Sequence, residues 1–151
     1  MIRKFDFLII GSGVAGMCYA LHVARANKGK VALVCKTTLE EANTAKAQGG
    51  VASVTNLEVD NFEKHIKDTM IAGDYISDPA AVEKVVREAP AGIKFLVDNG
   101  VHFDKKEDGT FDLHREGGHS EFRILHHADD TGFEIQRGLI ETVRHTPNIT
   151  I

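Results

Sequence analysis

Three residue groupings in this chain have the types and spacing to do chemistry. The first is Gly11-Ser12-Gly13-Val14-Ala15-Gly16, a G-x-G-x-x-G run that follows the apolar stretch Phe5-Asp6-Phe7-Leu8-Ile9-Ile10. A glycine at the first place makes a tight turn. One at the second lets a pyrophosphate approach the backbone, and one at the third lets the following helix lie close on the strand. The opening N–H groups of such a helix point at the phosphates, and its dipole favours negative charge there. An ordinary strand–turn–helix corner also uses glycine for backbone freedom. A second apolar run, Val31-Ala32-Leu33-Val34, lies at βαβ distance and favours dinucleotide binding.

The second grouping is Thr37 to Val54, rich in small and hydrogen-bonding residues and containing Gln48-Gly49-Gly50. Paired glycines let backbone pass close to a flat ligand, and Gln48 offers both a donor and an acceptor. A plain loop has the same composition. The third grouping is His114-Arg115-Glu116-Gly117-Gly118-His119-Ser120, followed by Arg123-Ile124-Leu125-His126-His127-Ala128-Asp129-Asp130-Thr131-Gly132. The histidine positions 114, 119, 126 and 127 form no helical i, i+4 pair and no familiar zinc signature, so no metal site is expected. Ser120 lacks the context of an activated nucleophile, and neither Cys18 nor Cys35 has a histidine next to it in sequence. A solvated loop and a site for a small anionic or zwitterionic ligand both remain compatible with this segment.

The elements that must position these groups follow from periodicity. Residues 5–10 and 31–35 read as parallel strands. Residues 14–28 read as a helix with Val14, Met17, Cys18, Leu21 and Ala24 on one face and Gly29 ending it. Cys35 or Lys36 occupies the place where many nucleotide-binding folds carry an acidic ribose ligand. A helix is expected over 57–72, with Phe62, Ile66, Thr69 and Met70 on one face. Asp78-Pro79 caps another, with Val82, Val85, Val86 and Ala89 inward and a break or restart at Pro90. That segment ends at Gly100. Residues 101–104 and 110–113 flank Asp108-Gly109 as a small β-hairpin. A last helix carries Ile135, Leu139, Ile140 and Val143 inward, and Asn148-Ile149-Thr150-Ile151 begins a strand.

The 151 residues suit one domain, and 18 basic against 22 acidic side chains give a mixed, mildly acidic surface unlike a nucleic-acid interface. No apolar run is long enough for a bilayer, and no secretory signal peptide is expected. Two unrelated cysteines fit a reducing, cytoplasmic setting.

Taken together, Ala47-Gln48-Gly49-Gly50, Arg115-Glu116-Gly117-Gly118-His119-Ser120, Arg123-Ile124-Leu125-His126 and Asp129-x-Thr131-Gly132 carry a resemblance. The chain resembles the flavoprotein family of succinate dehydrogenase, fumarate reductase and L-aspartate oxidase, and most closely the L-aspartate oxidase branch. The resemblance implies an α/β fold: a Rossmann-like FAD-binding domain with a parallel sheet, extra helices and a small hairpin, incomplete at its C-terminus. It implies that residues 1–151 are the N-terminal portion of that domain. The rest of it, a capping domain, a helical domain and the arginines that bind substrate and shuttle the proton are expected outside this chain, leaving the piece itself inactive.

The resemblance also implies site residues. Gly11, Ser12, Gly13, Val14, Ala15 and Gly16 would meet the FAD pyrophosphate, and Lys36 would lie near the adenosine ribose. Asn43, Thr44, Ala45, Lys46, Ala47, Gln48, Gly49 and Gly50 would run along the flavin and ribityl chain. Asn43 stands where succinate dehydrogenases bond a histidine covalently to the flavin, so non-covalent FAD is expected. The implied reaction is oxidation of L-aspartate to iminoaspartate in NAD biosynthesis, with oxygen or fumarate as acceptor and a functional link to quinolinate synthase. Glu116 is the expected substrate-orienting residue. A carboxylate about 4 Å from the substrate ammonium gains roughly 4 kcal/mol at intermediate dielectric and repels a bare dicarboxylate. A loop carboxylate paired with Arg115 or Arg123 is the plainer role. A fumarate reductase or succinate dehydrogenase subunit, and a non-catalytic nucleotide-binding module, are the rival expectations.

Overall fold

The computed structural model describes residues 2–151. Its first unit is the expected βαβ: β1 (Phe7–Ile10), α1 (Val14–Arg25) and β2 (Val31–Val34), with the strands parallel and Phe7 to Ile10 registered on Val31 to Val34. β6 (Ile149–Thr150) adds to the far side of β2, also parallel, giving the order β1-β2-β6. α1 packs Met17, Ala20, Leu21, Val23 and Ala24 into the core, and α4 (Thr131–Arg144) packs Ile135, Leu139, Ile140 and Val143 beside it. Ile9 points into this core, whereas Leu8 and Ile10 on the opposite face of β1 are exposed, as the alternation of a strand requires.

α1 is shorter than the 14–28 expected. Asn27 takes the left-handed conformation (φ 49°), its N–H donates to the Ala24 carbonyl, and the Lys28 N–H donates to the Val23 carbonyl. These two bonds close a Schellman motif with an asparagine in the glycine role. Gly29, expected to end the helix, lies in the turn beyond it, where Asp6 accepts from the Lys30 N–H at 2.8 Å. Val14 is exposed rather than inward.

α2 (Phe62–Ala72) begins five residues later than expected, because Asn61 caps it by accepting from the Lys64 N–H. Its most buried residue is His65, outside the predicted face. α3 (Pro79–Asp98) starts on the expected cap: Asp78 accepts from the Ala80 and Ala81 N–H groups at 2.8 and 3.1 Å. It then runs unbroken through Pro90. A proline inside a helix costs roughly 3 kcal/mol. Here Val82, Val86, Ile93 and Leu96 stay in phase across it, and their common buried face offsets the missing hydrogen bond. Val85, expected inward, is exposed.

The predicted hairpin forms as a short one: the Lys106 N–H donates to the Thr110 carbonyl at 2.9 Å and the Asp112 N–H to the Asp104 carbonyl at 3.0 Å. The Gly109 N–H donates to the Lys106 carbonyl, and one antiparallel bridge joins Lys105 to Phe111. The strand after it, β4 (Leu113–His114), pairs instead with β5 (Ile124–Leu125). β5 also pairs with β3 (Val51–Ala52), forming a small antiparallel sheet β3-β5-β4 that periodicity did not show.

Candidate dinucleotide site

The glycine-rich turn forms the expected corner. The Gly11 N–H donates to the Val34 carbonyl at 2.8 Å, and Gly11 sits at φ +111°, a conformation other residues rarely adopt. Gly16 is a packing glycine: a Cβ there would strike the Gly11 carbonyl oxygen. Gly13 is the N-cap of α1 and supplies no side-chain cap, and the first turn of the helix holds no acidic residue. No carboxylate therefore neutralises the positive end of α1, which favours an anion there. Ser12 is buried, and Val14 and Ala15 are exposed at the corner.

The second loop locks onto the first. Thr44 to Lys46 form a 3₁₀ turn, and Thr44 Oγ1 accepts from the Val14 N–H at 3.0 Å. α4 supports the same loop from behind. The Gly132 N–H donates to the Ala47 carbonyl at 2.9 Å, and a Cβ on Gly132 would strike the Thr44 carbonyl oxygen. One turn further along α4, the buried Gln136 donates through Nε2 to the carbonyls of Ser12 and Leu39 at 2.9 and 2.5 Å. Its Oε1 is buried without a partner. Asn43, Ala47, Gln48 and Gly49 are exposed, and an added Cβ at Gly49 would meet nothing within 4 Å. Lys46 makes only an exposed 3.6 Å ion pair with Glu41, and Lys36 is exposed just after β2.

Glu116 comes to the far end of this loop, where its Oε1 accepts from the Gly50 N–H at 3.4 Å. The plainer role predicted for it, pairing with Arg115 or Arg123, is not what the structure shows. Arg115 lies over the Phe122 ring, 5.7 Å from its centroid. Arg123 is fully buried and its donors are taken by two other carboxylates. Its Nε and Nη2 donate to Asp60 at 2.8 Å each, and its Nη1 donates to Asp68 at 2.6 Å. Asp68 also accepts from the N–H and hydroxyl of Ser120, at 2.8 and 2.7 Å. The 114–123 segment is thus clamped at its C-terminal end to α2 and the residue before its cap.

The electrostatics of the clamp are consistent. Burial opposes ionisation of Asp60 and Asp68, but hydrogen bonds from Arg123, Asn61 and Ser120 prevail and hold both carboxyls below their ordinary range. Burial likewise opposes the charge on Arg123, and its two carboxylate partners outweigh it and raise its pKa. His65, beside the clamp, goes the other way: burial first, then the positive charge of Arg123, lowers its pKa. Asp60, Asp68 and Gln136 were missed by sequence reasoning. They lie 63, 55 and 124 residues from the groups they bind, and no local pattern marks such contacts.

A glycine turn at the carboxyl end of a parallel strand, opening onto a helix N-terminus that no acidic side chain covers, defines an α/β dinucleotide-binding protein. More particularly, residues 6–151 match the family model described as FAD binding domain, and the chain belongs to that family. It is 48% identical to the chloroplastic L-aspartate oxidase of Arabidopsis thaliana over 149 residues, 99% of this chain and 22% of that protein. It is 45% identical to the L-aspartate oxidase of Vibrio cholerae, over 99% of this chain and 28% of that protein. Among solved structures it superposes on FrdA of E. coli quinol fumarate reductase with a TM-score of 0.92 at 32% identity, covering 98% of this chain and 25% of that one. Sdh1 of Mycobacterium smegmatis gives 0.88 at 31% identity, covering 98% and 27%. The chain spans about a quarter of the length of these relatives. No helix among the described residues is long and apolar enough to cross a membrane.

The residues present fit FAD. The glycine corner, the helix N-terminus free of acidic side chains and the unobstructed Gly49 backbone leave room for a pyrophosphate and a flat ring, and Thr44 joins the two loops that would hold them.

Proposed function

We propose that this chain is the FAD-binding part of an enzyme that oxidises L-aspartate to iminoaspartate. The observation that carries the reading is Glu116 against the Gly50 amide, a carboxylate brought to the end of the loop assigned to the flavin. The relatives named L-aspartate oxidase support the substrate. FAD supplies the two-electron acceptor for the hydride that leaves aspartate Cα. The N–H groups at the start of α1 would bind the pyrophosphate, Lys36 would lie near the adenosine ribose, and the backbone from Asn43 to Gly50 would line the flavin. Asn43 carries an amide, which is no nucleophile, so FAD is held without a covalent bond. Glu116 draws the substrate ammonium and repels dicarboxylates that lack one. Oxygen or fumarate is the final acceptor, and a quinolinate synthase is the consumer of the product. The exposed placement of both loops on this piece fits a site completed by further parts of a longer protein, which supply the arginines.

The test is the longer protein that contains these residues, assayed for aspartate-dependent hydrogen peroxide and then precipitated with acid. Peroxide release with the yellow colour left in the supernatant is expected. Succinate oxidation without aspartate turnover, with flavin held in the pellet, would replace this reading by that of a succinate dehydrogenase or fumarate reductase.

A further inference from the structure

The structure assigns a second site, away from the glycine corner: we propose that Asp112, His114 and His126 bind a divalent cation of the Zn²⁺ class that staples β4 to β5. Spacing along the sequence argues against any metal site, because the histidines form neither a helical i, i+4 pair nor a familiar zinc signature. The strand register brings the three groups together by another route. Leu113 pairs with Leu125 and His114 with Ile124 in the antiparallel ladder. At the end of that ladder the Asp104 N–H donates to the His126 carbonyl at 2.8 Å and the Asp112 N–H to the Asp104 carbonyl at 3.0 Å, so Asp104 holds Asp112 and His126 side by side. Residues two apart on a strand share a face, so His114 joins them there.

The donor atoms follow the register. One ligand atom from each of Asp112, His114 and His126 lies within 4.8 Å of the others. His126 Nε2 is 3.9 Å from Asp112 Oδ2. Ligands on one tetrahedral ion with bonds of about 2.1 Å sit roughly 3.4 Å apart, so closing the site needs only small movements. The imidazoles of His114 and His126 are stacked, with centroids 3.7 Å apart and planes 22° from parallel. One of them must turn for both to face the same ion. His114 is exposed and free to do so, while His126 is the fixed member.

His126 is the independent sign of a ligand. It is 8% exposed, and neither ring nitrogen has a hydrogen-bond partner. A buried imidazole with both nitrogens unpaired is costly, and a metal on Nε2 would satisfy one of them. Asp104 would satisfy the other: its Oδ2 lies 3.3 Å from His126 Nδ1, just out of hydrogen-bond alignment. A carboxylate behind the non-ligating nitrogen is the arrangement that orients metal-bound histidines. Asp104 is itself held there, accepting from the Ala128 N–H at 2.8 Å. Two imidazoles and one carboxylate suit Zn²⁺ or Co²⁺ over the oxygen-seeking Mg²⁺ and Ca²⁺, and leave a fourth position for water. The two strands joined are those under the loop end that holds Gly50, whose added Cβ would strike Ile124. The role is therefore structural.

The experiment titrates the tag-free, metal-stripped protein with Co²⁺, followed by its visible d–d bands, and with Zn²⁺ by calorimetry and thermal unfolding. One equivalent is expected to bind, with Mg²⁺ failing to compete and Tm rising with Zn²⁺ concentration. His114→Ala and Asp112→Asn, both at accessible positions, should each weaken the site at least tenfold while leaving the metal-free Tm unchanged. His145→Ala, at the exposed histidine that caps the C-terminus of α4, should leave binding intact. Absence of stoichiometric binding overturns the proposal. So does equal binding by the native protein and both site variants, which would mark adventitious surface coordination.

Discussion

The Glu116 carboxylate lies 3.4 Å from the Gly50 amide nitrogen, so the loop that carries the charge and the loop assigned to the flavin meet at one hydrogen bond. Glu116→Gln keeps an acceptor for that N–H and removes the charge. In the longer protein, aspartate oxidation should fall roughly ten- to a thousandfold in kcat/KM, while fumarate reduction survives, because only aspartate presents an ammonium. Steady-state kinetics on both substrates make the check. Equal damage to both activities would mean that Glu116 only ties the loops together.

Gly49 and Gly16 separate the fold from the cofactor. A Cβ at Gly16 meets the Gly11 carbonyl, whereas one at Gly49 meets nothing within 4 Å. Gly16→Ala should therefore destabilise the chain by about 1–3 kcal/mol, the usual cost of overpacking. Gly49→Ala should leave Tm nearly unchanged and reduce the flavin bound per protein, because its methyl group enters only the space assigned to the ring. Thermal melts and the flavin-to-protein absorbance ratio measure the two effects. A Gly49→Ala protein with full flavin content would remove Gly49 from the site.

The parts of the fold that were legible in the sequence are those with dense local patterns. Phe7–Ile10 and Val31–Val34 are short apolar runs set at βαβ distance around a glycine turn, and Ile135, Leu139, Ile140 and Val143 repeat at helical spacing. β3, β4 and β5 are two residues each, too short to show alternation, so their sheet could not be read. Pro90 misled because local propensity outweighed a burial pattern that continues past it. The glycine corner was legible because its chemistry is contiguous. The partners that position it, Gln136 and Gly132, arrive from α4 more than eighty residues away from the loops they touch.

The Asp60–Arg123–Asp68 clamp is a positioning device for the Glu116 loop. Arg123 is fully buried and spends three nitrogens on two carboxylates. Arg123→Met strands those carboxylates and should cost about 3–5 kcal/mol, as breaking one side of a buried pair does. Arg123→Lys should recover only part of this, since an ammonium cannot reproduce the planar fork. Asp68→Asn is the milder variant. It should loosen the Ser120 end of the loop, raising KM for aspartate while flavin content stays normal. A parallel loss of flavin would show that the clamp supports the whole domain instead of the substrate loop.

The same cluster sets two pH windows for stability. His65 is buried and its folded pKa is lowered, by burial first and then by Arg123 and His119, with Asp60 and Asp68 acting weakly in the opposite sense. Above its unfolded pKa of about 6.5 it is neutral in both states and contributes no pH dependence. Below that, the unfolded chain takes a proton that the folded chain refuses, so stability falls as pH drops, by at most about 1.4 kcal/mol per pH unit. The fall from His65 stops once pH reaches the depressed folded value. Asp60 and Asp68 act at more acidic pH. Their folded pKa values are also lowered, so their contribution is fully present above the unfolded carboxyl value of about 3.9 and is lost as pH falls through the folded values. Urea midpoints measured from about pH 7.5 down to pH 5 should therefore decline for the native protein and decline less for His65→Gln. Arg123→Met should leave that upper window shallower, by removing a charge that disfavours the imidazolium, and should shrink the carboxylate contribution to what the Asn61 and Ser120 hydrogen bonds sustain. A slope unchanged in His65→Gln would place the neutral-pH dependence on another histidine.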